Sequence, residues 1–245
     1  QVLCYDGDAS FDITNLNTVN AIGTWRYDVT VVYPGGVTGD WSGGLTNQTA
    51  TGIAALTDDL TNTTNDVQTV TYTFTPHIDP GDGGGECADG VPVVVTIEIN
   101  PQPRVAVTTD QVLCYDGDAS FDITNLNTVN AIGTWRYDVT VVYPGGVTGD
   151  WSGGLTNQTA TGVAALTDDL TNTTNDVQTV TYTFTPHIDP GDGGGECADG
   201  VPVVITIEIN PQPRVAVTAD QVLCYDGDAS FDITNLNTVN AIGTW

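Results

Sequence analysis

Four carboxylates, Asp79, Asp82, Glu86 and Asp89, fall within eleven residues of a glycine-rich stretch that also carries Cys87. Oxygen ligands on a flexible glycine loop are what Ca²⁺ prefers. The same set returns as Asp189, Asp192, Glu196 and Asp199 around Cys197. Asp6 and Asp8 follow Cys4, and Asp116 and Asp118 stand in the same relation to Cys114. A Cys4–Cys87 disulfide would bring Asp6 and Asp8 to the loop, crowding six carboxylates that must be either hydrated or bridged by a cation. The spacing matches neither the EF-hand nor the nonapeptide calcium repeat, so a hydrated loop is the blander reading. No cofactor is required, and Ca²⁺ is the one candidate ion.

Five cysteines occur, at 4, 87, 114, 197 and 224. The expected pairing is within repeats, Cys4–Cys87 and Cys114–Cys197, with the partner of Cys224 outside the chain. The alternative is Cys87–Cys114 with Cys197–Cys224, which leaves Cys4 over. Closing a loop of the intra-repeat length would contribute up to about 4–5 kcal/mol by chain entropy. Paired cysteines imply an oxidising, extracellular setting, whereas buried free thiols would not.

Catalytic chemistry finds little footing. The two histidines, His77 and His187, follow a Thr-Pro pair and read as exposed loop residues. No G-x-S-x-G, H-E-x-x-H or phosphate loop is present. The expectation is a protein that is not an enzyme. Asn47-Gln-Thr and Asn62-Thr-Thr match the glycosylation pattern but read as ordinary loop residues. Trp41 is either an exposed sugar-binding aromatic or, as preferred, a core residue.

The elements that must position these residues are strands. In the stretch 67–100, Val70, Tyr72 and Phe74 alternate with threonines, and Val91, Val93, Val95, Ile97 and Ile99 alternate with Pro92, Val94, Thr96 and Glu98. A period of two puts one set inside and the other in solvent, so this stretch reads as a hairpin around the acidic loop. Residues 2–4, 10–13 and 23–33 read as further strands, with Trp25 at the centre of the core. Residues 40–42 and 52–55 read as short strands or edges, and 56–60 as one helical turn. Sustained helical periodicity is absent. Seven or eight short strands with frequent turn residues predict an all-β, immunoglobulin-like sandwich.

Residues 1–110 recur as 111–220 with three differences, Ile53/Val163, Val95/Ile205 and Thr109/Ala219. Residues 221–245 then repeat 1–25 unchanged. A period this long lets each unit bury its own core. Asn100-Pro-Gln-Pro reads as a stiff joint, and residues 104–108 as the first strand of the next domain. The domain frame is then 1–102, a sandwich lacking its first strand; 103–212, a complete one; and 213–245, the start of a third.

The chain holds four Lys plus Arg against 31 Asp plus Glu, a net charge of −27. Such a surface repels nucleic acid and anionic membrane. All four cations are arginines, so Lys–Asn isopeptide cross-links are impossible. No apolar run is long enough to span a membrane.

Taken together, V-x-C-Y-D-G, G-T-W, the segment at Thr71–Pro76 (T-Y-T-F-T-P), Cys87 and Gly90-Val-Pro92 resemble the PKD-like, immunoglobulin-like repeats of giant Bacteroidota cell-surface adhesins, the SprB-like gliding adhesin family. The resemblance covers the whole repeat. It implies type 9 secretion, display at the cell surface, and stalk or filament repeats that extend a binding tip, possessed of a role in gliding motility. Neighbouring repeats of the same chain are the expected partners, with surface glycans or other filament chains beyond them. The alternatives are a carbohydrate- or surface-binding module in every repeat, and a non-catalytic accessory region of a secreted enzyme.

Overall fold

Alternation of apolar and polar residues builds the strands of the first repeat: β1 (Val2–Leu3), β2 (Asp6–Ile13), β3 (Thr24–Val32), β4 (Val37–Thr38), β5 (Leu45–Gln48), β6 (Gly52–Asn62), β7 (Gln68–Asp79) and β8 (Val93–Ile99). The computed structural model describes all residues except 1, 18–20, 84, 86, 109–111, 128–130, 192–196, 219–221, 224, 238–240 and 245. Two sheets form, in the orders β1-β8-β7-β3-β5 and β2-β6-β4. β1 runs parallel to β8, with Leu3 opposite Ile99, and the chain then crosses to the other sheet as β2. β7 and β8 pair antiparallel from Gln68↔Ile99 to Phe74↔Val93.

The second repeat supplies β9 (Val105–Thr108), β10 (Val112–Leu113), β11 (Asp116–Asn125), β12 (Thr134–Val142), β13 (Val147–Thr148), β14 (Leu155–Gln158), β15 (Gly162–Asn172), β16 (Gln178–Asp189) and β17 (Val203–Ile209). Its sheets are β10-β17-β16-β12-β14 and β13-β15-β11-β9. Residues 105–108 therefore add a strand outside β11, where the first repeat has none among the described residues. A last pair, β18 (Val215–Thr218) and β19 (Asp232–Asn235), repeats the β9–β11 pairing. The architecture is a tandem array of immunoglobulin-like β-sandwiches.

By contacts the chain divides into two units. One is Gln1–Arg104 with Leu126–Trp135 and His187–Gly200; the other is Val105–Asn125, Arg136–Pro186 and Val201–Trp245.

The core of the first repeat is aromatic. Phe11 lies 4.6 Å from Tyr72 and 5.6 Å from Trp41 between ring centroids, and Trp41 meets Tyr72 edge-on at 5.7 Å. Each such pair adds about 0.5–1.5 kcal/mol beyond its burial. Trp41 is buried, as its apolar reading requires, but it sits in the turn 40–43 and not on a strand. Gly44 closes that turn at φ 75°, its amide bonded to the Trp41 carbonyl at 2.8 Å. A Cβ at Gly44 would stand 2.5 Å from the Val29 carbonyl oxygen, so no other residue fits. Trp25, expected at the core centre, is only half-buried; Tyr27, two residues on, takes that place. Residues 56–60, expected as a helical turn, lie in β6. The ladder to β2 there is regular from Asp6↔Thr61 to Phe11↔Leu56 and then shifts, with Ala54 at φ 52° inside the bulge.

Candidate functional site

β6 carries a carboxylate into the core. Asp58 is fully buried and accepts hydrogen bonds from the Tyr33 hydroxyl at 2.6 Å, the Tyr72 hydroxyl at 2.7 Å and the Asp40 amide at 2.7 Å. Asp168 repeats the arrangement with Tyr143, Tyr182 and the Asp150 amide. Three hydrogen-bond donors are what let each carboxylate stay buried. Burial, then the hydrogen bond to Asp58 and its charge, push the Tyr33 and Tyr72 hydroxyls well above the usual tyrosine range. The geometry pins the 40–43 turn onto the sheet; it offers no open face for a substrate.

The histidines are buried too. His77 lies in β7, its Nε2 3.2 Å from the Asn47 side-chain oxygen, and His187 is equally enclosed. The exposed-loop reading of both was wrong because β7 and β16 run on to Asp79 and Asp189. Asn62 is likewise no exposed loop residue. Its amide donates to the Asp66 and Ile99 carbonyls and its oxygen accepts from the Thr64 amide and hydroxyl.

The expected six-carboxylate cluster does not assemble from the described residues. Asp6 and Asp8 lie on β2, where Asp8 pairs directly with Asp59 and Asp6 accepts from the Thr61 hydroxyl at 3.2 Å. Desolvation first, then repulsion from Asp8, Asp6, Asp40 and Asp58, raises the exposed Asp59 carboxyl. Asp79 sits at the opposite end of the sandwich. It faces Arg26 at 3.8 Å and accepts the Gly81 amide at 2.9 Å. Asp82 and Asp89 are exposed. In the second repeat Asp116 faces Thr171, Asp118 pairs with Asp169, Asp189 accepts the Gly191 amide and Asp199 is exposed. Glu86, Asp192, Glu196 and Cys224 lie outside the described residues. Among the described residues no group of three or more His, Cys, Asp or Glu is arranged to hold a metal.

Register explains the cysteines. Cys4 follows Leu3, which stands opposite Ile99 and hence beside Gln68 at the start of β7. The Cys87 amide bonds to the Ile78 carbonyl at the other end of β7. Ten residues of strand separate those points, about 33 Å. A disulfide needs Cα atoms within about 7 Å, so Cys4 cannot reach Cys87, nor Cys114 reach Cys197. Both expected intra-repeat bridges are therefore corrected. Cys4 is bonded to Cys197, the loop cysteine of the following repeat, with 5.2 Å between Cα atoms. Cys87 and Cys114 are free and exposed, which also sets aside the alternative Cys87–Cys114 pairing.

The loop holding Cys197 packs where the chain passes between repeats. Gly200 leaves no room for a Cβ against the Pro103 carbonyl. Asn100 donates its side-chain amide to the Ile132 carbonyl at 2.9 Å and accepts the Ile132 amide at 2.8 Å. Asn127 donates to the Gln102 carbonyl at 2.7 Å and accepts the Arg104 amide at 2.8 Å. Pro101 and Pro103 between them are buried. The same two clamps recur one period on, with Asn210 on Ile242 and Asn237 on Gln212 and Arg214. The prolines signalled a joint in the sequence, whereas the asparagines gave no signal beyond standing beside it.

The sequence matches the PKD-like domain family over residues 3–103 and 111–213. The chain belongs to the PKD-like domain family. Its two matched repeats are the two sandwiches, and the second match ends at the second joint. No curated protein matches the chain. Among solved structures, these PKD-like repeats are similar to the S-layer protein SbsC domains 4 and 5, at 14% identity over 75% of this chain and 76% of that one, with a TM-score of 0.27. They are also similar to the S-layer protein rSbsC(31-844), at 13% identity, a TM-score of 0.29 and 89% of this chain, which spans 29% of that structure.

Proposed function

We propose that this PKD-like repeat array is a non-catalytic stalk of a secreted cell-surface adhesin, built to hold a binding tip at a distance and to bear load. The observation that carries the reading is the repeated joint. Asn100 with Asn127, and Asn210 with Asn237, hold the passage between repeats by the same hydrogen bonds. A freely jointed linker has no use for buried prolines or paired amide clamps. The Cys4–Cys197 bond adds a covalent link from one repeat to the next, in keeping with an oxidising, extracellular setting. The domain frame of the stalk is 1–102, 103–212 and 213–245, and its immediate partners are neighbouring repeats.

Tryptic mapping of the purified, unreduced protein tests the link. A peptide joining Cys4 to Cys197, with Cys87 open to alkylation, is the expected result; Cys4 joined to Cys87 would overturn it. Electron microscopy of the native protein addresses the stalk itself. Thin beaded filaments are expected, and compact particles would sink the proposal.

A further inference from the structure

We infer that the outer face of strands β8, β7 and β3, and its counterpart in the second repeat, is where a second copy of this chain docks side by side, sheet against sheet. Register sets that face out in two rows. Val94 stands beside Thr73 and Thr73 beside Thr30; Thr96 stands beside Thr71 and Thr71 beside Val32. The period of two turns these six side chains away from the core, while their strand neighbours Tyr72 and Ile97 are buried. None of the six is charged, and charge returns only at the ends of the face, with Asp28 on β3 and Glu98 on β8. The second repeat offers the same residue types one period on, Val142 and Val204 among them. Val32 is 65% exposed and Val142 66%. The exposures agree in the repeat that precedes and the repeat that follows, so position in the chain does not decide them.

Charge decides what fits. The other sheet turns Asp6, Asp8 and Asp59 to solvent, and the chain as a whole carries −27. Two copies meeting through that sheet would set carboxylate against carboxylate as water leaves the contact, which is costly. A cationic partner is drawn to those carboxylates, and an anionic one is repelled by the whole chain. The threonine and valine face asks for a partner surface that is neutral as well, and the same face of another copy is such a surface. A patch that meets its own copy closes on a two-fold axis. Stacked sheets lie about 10 Å apart, so valine and threonine methyls of one copy pack between those of the other. Threonine hydroxyls both donate and accept, so they satisfy one another across the contact.

The face is small. Its outer strands lie about 10 Å apart and its two rows about 7 Å apart. That falls short of the roughly 1,000 Å² of buried surface that a stable interface needs. The contact is therefore weak at any one repeat and gains by being offered again at the next. A side-by-side contact thickens a stalk without lengthening it.

The test uses the whole 245-residue chain in sedimentation velocity, with free thiols alkylated and EDTA present. Reversible, concentration-dependent association is expected, growing with monovalent salt as the net charge of −27 is screened. Val32→Asp combined with Val142→Asp should raise the dissociation constant about tenfold or more, and Thr30→Asp with Thr140→Asp should do the same. Ile53→Asp with Val163→Asp adds the same charge at exposed apolar positions of the other sheet and should leave the constant within about twofold. All these side chains face solvent, so thermal melts followed by circular dichroism should match the parent and separate lost docking from lost folding. A monomer at every concentration and salt overturns the inference. So does association that survives both substituted pairs on the neutral face, or that Ile53→Asp with Val163→Asp weakens equally. Association that vanishes in EDTA and returns with Ca²⁺ overturns it too, since carboxylates would then make the contact.

Discussion

The first two repeats differ at three positions in 110, yet the same side chains meet different surroundings. Leu16 is 89% exposed and its counterpart Leu126 46%; Ile13 is half-buried and Ile123 fully buried; Asn17 is exposed and Asn127 is 7% exposed. None of these residues is itself among the three substituted positions. The difference is β9, which lies beside β11 and places Arg104 where Asn127 can hold it. A repeat is thus one sandwich in sequence but is completed in space by the segment that leads into it. Burial here is set by the neighbour and not by the side chain's own type.

The largest way to sharpen this comparison is to remove the buried carboxylate from each repeat in turn. Asp58→Ala and Asp168→Ala each strand two tyrosine hydroxyls and a backbone amide, at a cost of about 3–5 kcal/mol. The second repeat, whose β11 carries β9 and whose Ile123 is fully buried, has the larger margin. Denaturant unfolding followed by circular dichroism should show Asp58→Ala unfolding its repeat, while Asp168→Ala leaves a folded repeat of lower midpoint. Equal losses would mean that β9 contributes nothing. A smaller contrast comes from the joint. Asn127→Ala removes two clamp bonds and should cost about 1–3 kcal/mol, whereas Asn17→Ala should stay within about 0.5 kcal/mol.

The smallest effect at neutral pH concerns the tyrosines. Desolvation above all, with Asp58 or Asp168 next, raises Tyr33, Tyr72, Tyr143 and Tyr182, and burial pushes Tyr137 up to about 12. Unfolded tyrosine ionises near 10. The folded state therefore holds these protons more tightly than the unfolded state. Stability is unaffected below about pH 10 and falls as pH rises beyond it. Melting temperature against pH, with tyrosinate absorbance as a second readout, checks this. Tyr72→Phe should flatten the decline, and no decline up to pH 12 would count against it.

The strands were legible wherever alternation was long. β3, β7 and β8 follow the period-two pattern of 23–33 and 67–100 because each has one face on the core. Residues 56–60 misled because Leu56 and Leu60, four apart, fit a helical turn as well as one face of a strand. Only the register to β2 and the long-range partners of Asp58 decide the matter, and neither is local. Cysteine pairing failed for a related reason. Spacing in sequence carries no information about which end of a sandwich a residue occupies, and the alignment of Leu3 with Ile99 puts Cys4 at the far end from Cys87. The proline joint was legible as a stiff element, but the asparagines that lock it draw their role from chain 23 or more residues away.

The Cys4–Cys197 bond spans 193 residues. During synthesis, the first of these cysteines emerges long before its partner exists, and by then its own sandwich has had time to fold. Covalent locking therefore comes after both repeats have been made and folded. The closed Cys4–Cys197 bond thus reports that the second repeat has folded far enough to place its loop against the first.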